Sequence, residues 1–398
     1  MPTPSPRRTL ATCSVVHTVH DGLSDVTYVL LPVLAQAFGL SLAQVGLIRA
    51  AHRTAMAAFQ IPAGLIAERF GERNLLALGT LCAGVAFLGL GFAPGFYAIL
   101  FALFWAGFGS AVQHPLASAI ISHAYPGEGR RAALGTYNFF GDVGKFAFGG
   151  AASLLFVAGV SWQAPVLAFG VIAIACAAGV MVFVVDRRAP AHSPESSATS
   201  KVRGWGIRDR QGFTALCLID VLDSSTRSGF LTLVAFLLIA RGLPEGWAAM
   251  SVPLILIGGM AGKLACGLLA ERFGIMRMVI ITEIATGCGI LATLALPTLG
   301  AFIVLPLVGV VLNGTSSVLY GTIGDFVDKD RLPRAFGAIY TIGAICGIAS
   351  PLGYGLLGDL HGVETSIALM GVLIFLTVPM ALLLRPGRAE RAVRTANS

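Results

Sequence analysis

Apolar runs of roughly 20 residues, separated by short polar turns, recur from end to end of this 398-residue chain. A helix of that length crosses the ~30 Å hydrocarbon core of a bilayer. The pattern predicts twelve spanning helices. The first six lie near 12–38, 44–66, 74–93, 96–122, 133–158 and 163–185; the second six lie near 213–239, 246–269, 277–297, 300–324, 335–357 and 364–384. Between them the polar stretch 186–210, DRRAPAHSPESSATSKVRGWGIRDR, reads as a flexible linker. The expected organisation is an N-terminal six-helix half (1–185), a cytoplasmic linker (186–210) and a C-terminal half with a basic cytoplasmic tail (211–398). The fold class is an all-α membrane protein.

Composition sharpens the class. The chain is 56% hydrophobic and only 12% charged, about half the charge of a soluble protein. A transmembrane barrel would show shorter, alternating segments. Net charge is +7, but 21 of the 27 Lys and Arg lie in the tails, the linker and the loops near 67–73, 124–131, 271–277 and 325–334. The opposite loops carry only Arg241. This bias orients both termini and the linker toward the cytoplasm of a bacterial inner membrane and removes any need for a nucleic-acid partner. The basic start, MPTPSPRRTL, has no cleavage site after it and reads as a cytoplasmic tail. Seven cysteines sit in or beside apolar segments without ligand spacing, as small packing residues.

The chain repeats itself. GLIAERFG from Gly64 returns as GLLAERFG from Gly267, an offset of 203. At the same offset Arg131-Ala132 meets Arg334-Ala335, Tyr137 meets Tyr340, Gly144 meets Gly347 and Gly150 meets Gly353. Two halves with an even number of spans share one orientation, which is a parallel repeat about an axis normal to the membrane. Both octapeptides are expected in tight cytoplasmic loops, where glycine permits a sharp turn. There Glu68, Arg69, Glu271 and Arg272 can do more than set topology: they can latch one packing and release in another.

The octapeptide resembles the signature loop of the major facilitator superfamily, and the resemblance covers the whole chain. It implies alternating access by rocking of two halves, with Gly64, Glu68, Arg69, Gly71 and Arg73, and the second copy Gly267, Glu271, Arg272 and Gly274, in a cytoplasmic gate. Here Glu68 stands for the more usual Asp, and the second copy decays after Gly274. Within the superfamily, HDG at His20 and QHP at His114 are similar to fosmidomycin-resistance efflux transporters. GDVGKFAFGG from Gly141 keeps the glycines of the drug–proton antiporter motif but lacks its proline and adds Asp142 and Lys145.

Ionisable groups inside spans cost several kcal/mol unless they meet a partner or a polar cavity. This chain places them in stripes: His17, His20, Asp21 and Asp25 on span 1; Arg49, His52 and Arg53 on span 2; Asn138, Asp142 and Lys145 on span 5; Asp220, Asp223 and Arg227 on span 7. The offset aligns His17 with Asp220 and His20 with Asp223. His20, Arg53, His114, Asn138, Lys145, Asp223 and Arg227 are expected to meet substrate. His17, Asp21, Asp25, Asp142 and Asp220 are expected to handle protons. The competing reading is internal ion pairing, such as Asp223 with Arg227, Lys145 with Asp142, or Arg53 with Asp25 or a span 7 carboxylate. Arg49 is expected to reach the interface, and Lys263 and Glu283 to be structural. Pro115 is expected to break the helix beside His114.

No nucleotide loop, catalytic triad or metal cluster is apparent, so no cofactor is expected and the chain is not an enzyme. The expectation is a monomeric, proton-coupled secondary transporter of a small polar, anionic organic solute or drug, with export by antiport. Its alternatives are proton-linked uptake of a carboxylate or phosphonate-like anion, or a non-transporting sensor on the same fold.

Overall fold

The computed structural model describes residues 5–125, 127, 129–184, 206–328 and 332–384, and these are almost entirely helical. In chain order the helices are α1 (Pro6–Phe38), α2 (Leu42–Phe70), α3 (Glu72–Gly91), α4 (Phe96–Ser110), α5 (Gln113–Ala124), α6 (Gly129–Val157) and α7 (Gln163–Phe183). Then follow α8 (Arg210–Ala240), α9 (Glu245–Ala249), α10 (Ser251–Phe273), α11 (Ile275–Ala295), α12 (Thr298–Phe326), α13 (Leu332–His361), α14 (Val363–Leu373) and α15 (Thr377–Ala381). Taking α4 with α5, α9 with α10 and α14 with α15, this is the twelve-span pattern. Ten spans among the described residues are long and apolar enough to cross a membrane. The helices α1 and α2, despite 33 and 29 residues, are not among those ten; they carry the richest polar stripes.

The breaks inside spans fall at prolines, although Pro32, Pro62, Pro306 and Pro351 lie within unbroken helices. A helical proline clashes with the carbonyl four residues back and removes that hydrogen bond. Four residues before Pro115 is Ala111, the C-cap of α4; four before Pro253 is Ala249, where α9 ends; four before Pro379 is Phe375, inside the 3-10 turn Ile374–Leu376. The expected continuous span 4 is therefore two helices, and span 8 likewise.

The chain divides into two compact units, Met1–Glu195 with Gly242–Pro253, and Ser196–Arg241 with Leu254–Ser398. In the first, α1 lies along α6 and α3 along α7; in the second, α8 lies along α13 and α11 along α14. The offset of 203 also governs local geometry. Gly39, Gly71 and Gly159 have φ of 61°, 85° and 77°, and their equivalents Gly242, Gly274 and Gly362 have 85°, 85° and 88°. Only glycine adopts this region without strain. The apolar cores correspond as well: Cys13, Val16, Leu76, Leu116 and Ile120 in the first unit occupy the places of Leu216, Ile219, Val279, Leu319 and Ile323 in the second. All seven cysteines are free thiols, and Cys13 and Cys266 are buried within these cores.

The octapeptides differ from expectation. Seven of their eight residues are helical, because Leu-Ile-Ala-Glu-Arg and Leu-Leu-Ala-Glu-Arg favour helix. Only the closing glycine, Gly71 or Gly274, makes the turn, and the next helix starts at once. The linker boundary also moves: Ile207 bridges to Val327, Arg208 reaches the Gly324 and Val327 carbonyls and Asp328, and Arg210 opens α8. The rest of the expected linker, 186–205, and the basic tail beyond 384 lie outside the described residues.

Large apolar side chains such as Ile61, Leu65, Tyr97, Leu264, Leu299 and Leu360 are exposed, while His17, Asp21, Asp220, Asp223 and Glu283 are buried. A soluble fold would show the reverse. Lipid is the solvent for such an exterior.

Candidate functional site

In the first unit α6 comes so close to α1 that a Cβ on Gly144 would enter the Thr18 backbone. Thr18 Oγ1 donates to the Phe140 carbonyl at 3.0 Å across the same seam. This approach brings Lys145 to α1. Its Nζ lies 3.2 Å from Asp21 Oδ2 and 3.0 Å from Asp142 Oδ1. His17, one turn before Asp21, sets Nε2 3.2 Å from Asp21 Oδ2 and Nδ1 2.8 Å from the Tyr137 carbonyl. The two rings, His17 and Tyr137, stack at 4.0 Å, and Gln113 Nε2 donates to the Tyr137 hydroxyl at 2.6 Å. From α5, His114 Nε2 lies 3.5 Å from Asp21 Oδ1. Asp21 is thus shared by a lysine and two histidines, with a side chain only 10% exposed, while His114 and Lys145 are 39% and 26% exposed. A cluster that is buried on one side and open on another is suited to ligand exchange.

Other expected site residues fall elsewhere. His20 is 1% exposed, and both its nitrogens have partners, Ser110 Oγ at 3.3 Å and Thr80 Oγ1 at 2.9 Å. It ties α1 to α3 and α4. Asn138 is exposed on α6 and Arg53 half-buried on α2. Arg49, expected at the interface, is instead 1% exposed. Its Nη1 donates to the Ser24 carbonyl at 2.8 Å and Thr27 Oγ1 at 2.6 Å, its Nη2 reaches Asp25 at 3.4 Å, and its guanidinium lies 3.7 Å from the Tyr28 ring centre. Its long side chain finds carbonyl and carboxylate acceptors on α1 before it reaches the interface. Asp25 therefore takes part in a structural brace.

In the second unit Asp223 Oδ2 lies 3.6 Å from Arg227 Nη1, and Arg227 Nη2 donates to Ser224 Oγ at 3.2 Å. Asp220 and Glu283 are each 0% exposed, and neither has a hydrogen bond to its carboxylate oxygens among the described residues. Glu283, on α11, interacts electrostatically with both Asp223 and Arg227. The sequence predicts a structural role for Glu283. A contrary signal was available: the offset aligns it with Thr80, the partner of His20, whose own equivalent is Asp223.

Of the gate residues, Gly64 lies inside α2 and Gly267 inside α10, while Gly71 and Gly274 make the turns. Arg69 and Arg272 are exposed and lie 6.0 and 5.8 Å over the rings of Phe70 and Phe273, another echo of the repeat. Arg73 bonds Asn74 at 3.2 Å. The side chains of Glu68 and Glu271 lie outside the described residues.

Comparison with known proteins fits this fold. The chain is 25% identical over 359 residues to the probable sulfoacetate transporter SauU of Cupriavidus necator, covering 83% of this chain and 82% of that one. It is 23% identical to the 4-hydroxybenzoate transporter PcaK of Pseudomonas putida, covering 91% and 87%. A bacterial homologue of the human lysosomal transporter Spinster, crystallised inward-facing and occupied, superposes with a TM-score of 0.80 at 16% identity, over 96% of this chain and 97% of that one. The nucleoside transporter NupG gives 0.76 at 11%, over 94% and 98%. These proteins are membrane transporters and not enzymes. The sequence profile of the Major Facilitator Superfamily matches residues 13–351, and the chain belongs to that superfamily.

Proposed function

We propose that this transporter carries a small organic anion across the bacterial inner membrane by alternating access coupled to protons, with both termini cytoplasmic. The observation that carries the reading is Lys145, a half-buried cation held between Asp21 at 3.2 Å and Asp142 at 3.0 Å. An entering carboxylate or sulfonate replaces one of these carboxylates at the ammonium, and the released carboxylate takes a proton. Binding of the anion and movement of the proton are thereby linked at one side chain. In the second unit Arg227, paired with Asp223 at 3.6 Å, is the corresponding cation beside buried acids. In the same unit a charged Glu283, buried without a hydrogen bond among the described residues, costs several kcal/mol, so Asp223 and Glu283 hold a proton in common.

Export by antiport is the working direction, from the resemblance at HDG and QHP. Proton-linked uptake is the second reading. The relatives whose names specify sulfoacetate and 4-hydroxybenzoate favour a small organic acid over a drug as the solute in either case. The octapeptide glycines and arginines serve as the cytoplasmic gate, and the unit of transport is the monomer.

Reconstitution into vesicles tests the reading. Sulfoacetate and 4-hydroxybenzoate are supplied with and without an imposed pH gradient, and Asp142→Asn is run beside the parent. Flux that follows the gradient in the parent and ignores it in the variant is expected. Equal flux with and without the gradient in the parent would remove protons from the scheme.

A further inference from the structure

We propose that His17, Asp21 and His114 form a binding site for a divalent transition-metal ion of the zinc type. The proposal concerns binding and does not depend on the transported solute.

His17 carries the argument. Its Nδ1 faces the Tyr137 carbonyl oxygen at 2.8 Å, and a carbonyl only accepts, so the ring proton sits on Nδ1. In the neutral ring Nε2 is then a bare lone pair. That atom is buried, accepts no hydrogen bond among the described residues, and points at Asp21 Oδ2 3.2 Å away, a second lone-pair donor. Two electron-pair donors so close call for a cation between them. A proton bridges two ligands, but a third is in place: His114 Nε2, 3.5 Å from Asp21 Oδ1. One ligand atom from each of the three residues lies within 4.8 Å of the others. Zinc bonds of ~2.0–2.2 Å to nitrogen and oxygen put tetrahedral ligand atoms roughly 3.3–3.5 Å apart; His17 Nε2 and Asp21 Oδ2 already stand close to that spacing at 3.2 Å, while His114 faces the other carboxylate oxygen and closes in by a small side-chain turn.

Two further features fit. A metal-binding histidine typically donates its other N–H to a carbonyl or carboxylate, which fixes ring and tautomer; His17 already does so. The space beside the ligands is kept open by Gly141 on α6, where a Cβ would stand 2.5 Å from His17 Nε2 and 2.8 Å from Asp21 Oδ2. Lys145 is the competing cation at Asp21, and Asp142, 3.0 Å from its Nζ, retains it when Asp21 turns to a metal. His20 is excluded, because Ser110 and Thr80 occupy both its nitrogens. The fourth position faces the open side at His114, so the geometry resembles a three-ligand site with an exchangeable place.

The test is zinc titration of the purified, metal-stripped full chain by calorimetry, with cobalt absorption as a second readout. One equivalent of zinc and the visible bands of four-coordinate cobalt are expected. His17→Gln and His114→Gln should each weaken binding at least about 100-fold. Gly141→Ala, which keeps every ligand but fills the gap, should weaken it too. His123→Gln, outside the cluster, should not. No stoichiometric binding by the parent, or equal loss in His123→Gln, overturns the site. Zinc binding in a protein that moves no anion would sink the transport reading and leave this one standing.

Discussion

At equivalent places in the two units, His20 meets Thr80 at 2.9 Å in the first, and Asp223 stands with Glu283 in the second. The first pair is neutral, satisfied and structural. The second is two buried acids beside one arginine. A similar inversion holds one helix over. Asp142 and Lys145 on α6 correspond to Ile345 and Ile348 on α13, and Gly144, pressed into the Thr18 backbone, corresponds to Gly347, where a Cβ would meet only Ser228 Oγ at an ordinary 3.5 Å. A duplicated scaffold has kept its turns and cores and exchanged its polar cargo. Where α6 closes on α1, charges from two helices compensate each other. Where α13 stands off from α8, the compensating cation comes from α8 itself, Arg227 one turn after Asp223.

The largest effect should come from breaking the compensated cluster. Lys145→Gln removes the ammonium shared by Asp21 and Asp142. Removing one partner of a fully buried pair costs ~3–5 kcal/mol, and with the lysine side chain 26% exposed the loss should be about 1–3 kcal/mol. A fall in the unfolding midpoint checks this, and Asp142→Asn in the same chain should restore part of it. In the second unit, Glu283→Gln should leave the midpoint nearly unchanged, yet cut pH-driven flux at least about tenfold, since it removes the shared proton; flux that keeps its pH dependence would make Glu283 structural. The turns should respond alike in both units: Gly71→Ala and Gly274→Ala, both at φ 85°, should each cost about 1–2 kcal/mol of strain, and a large inequality would break the symmetry argued here. Smallest in its effect on transport is Thr80→Val, which removes two neutral hydrogen bonds, with His20 Nε2 and to the Leu76 carbonyl, for about 1 kcal/mol each without altering the pH dependence of flux.

The repeat made much of this legible from the sequence. The twelve runs, the offset of 203 and the charged stripes all emerge from spacing alone. The pairing of Lys145 with Asp142 follows from one helical turn on one helix. What spacing does not contain is the distance between helices. Lys145 reaching Asp21 depends on Gly144 letting α6 close on α1, and Arg49 turning inward depends on α1 presenting the Ser24 carbonyl, Thr27 and Tyr28. His20 looked like a ligand because its stripe is polar; its partners Thr80 and Ser110 lie 60 and 90 residues away. The depth of Glu283 in its span points to a structural role, while the repeat aligns it with Thr80 and so with the polar cluster.

Lys145 as the anchor for an anion is the claim on which the transport reading depends. Binding of matched anionic and neutral ligands to the purified parent, Lys145→Gln and Arg227→Gln tests it directly. The account expects both variants to lose affinity for a carboxylate or sulfonate far more than for its neutral amide analogue. Equal losses for the two ligand types, or an unchanged anion affinity in Lys145→Gln, would contradict it.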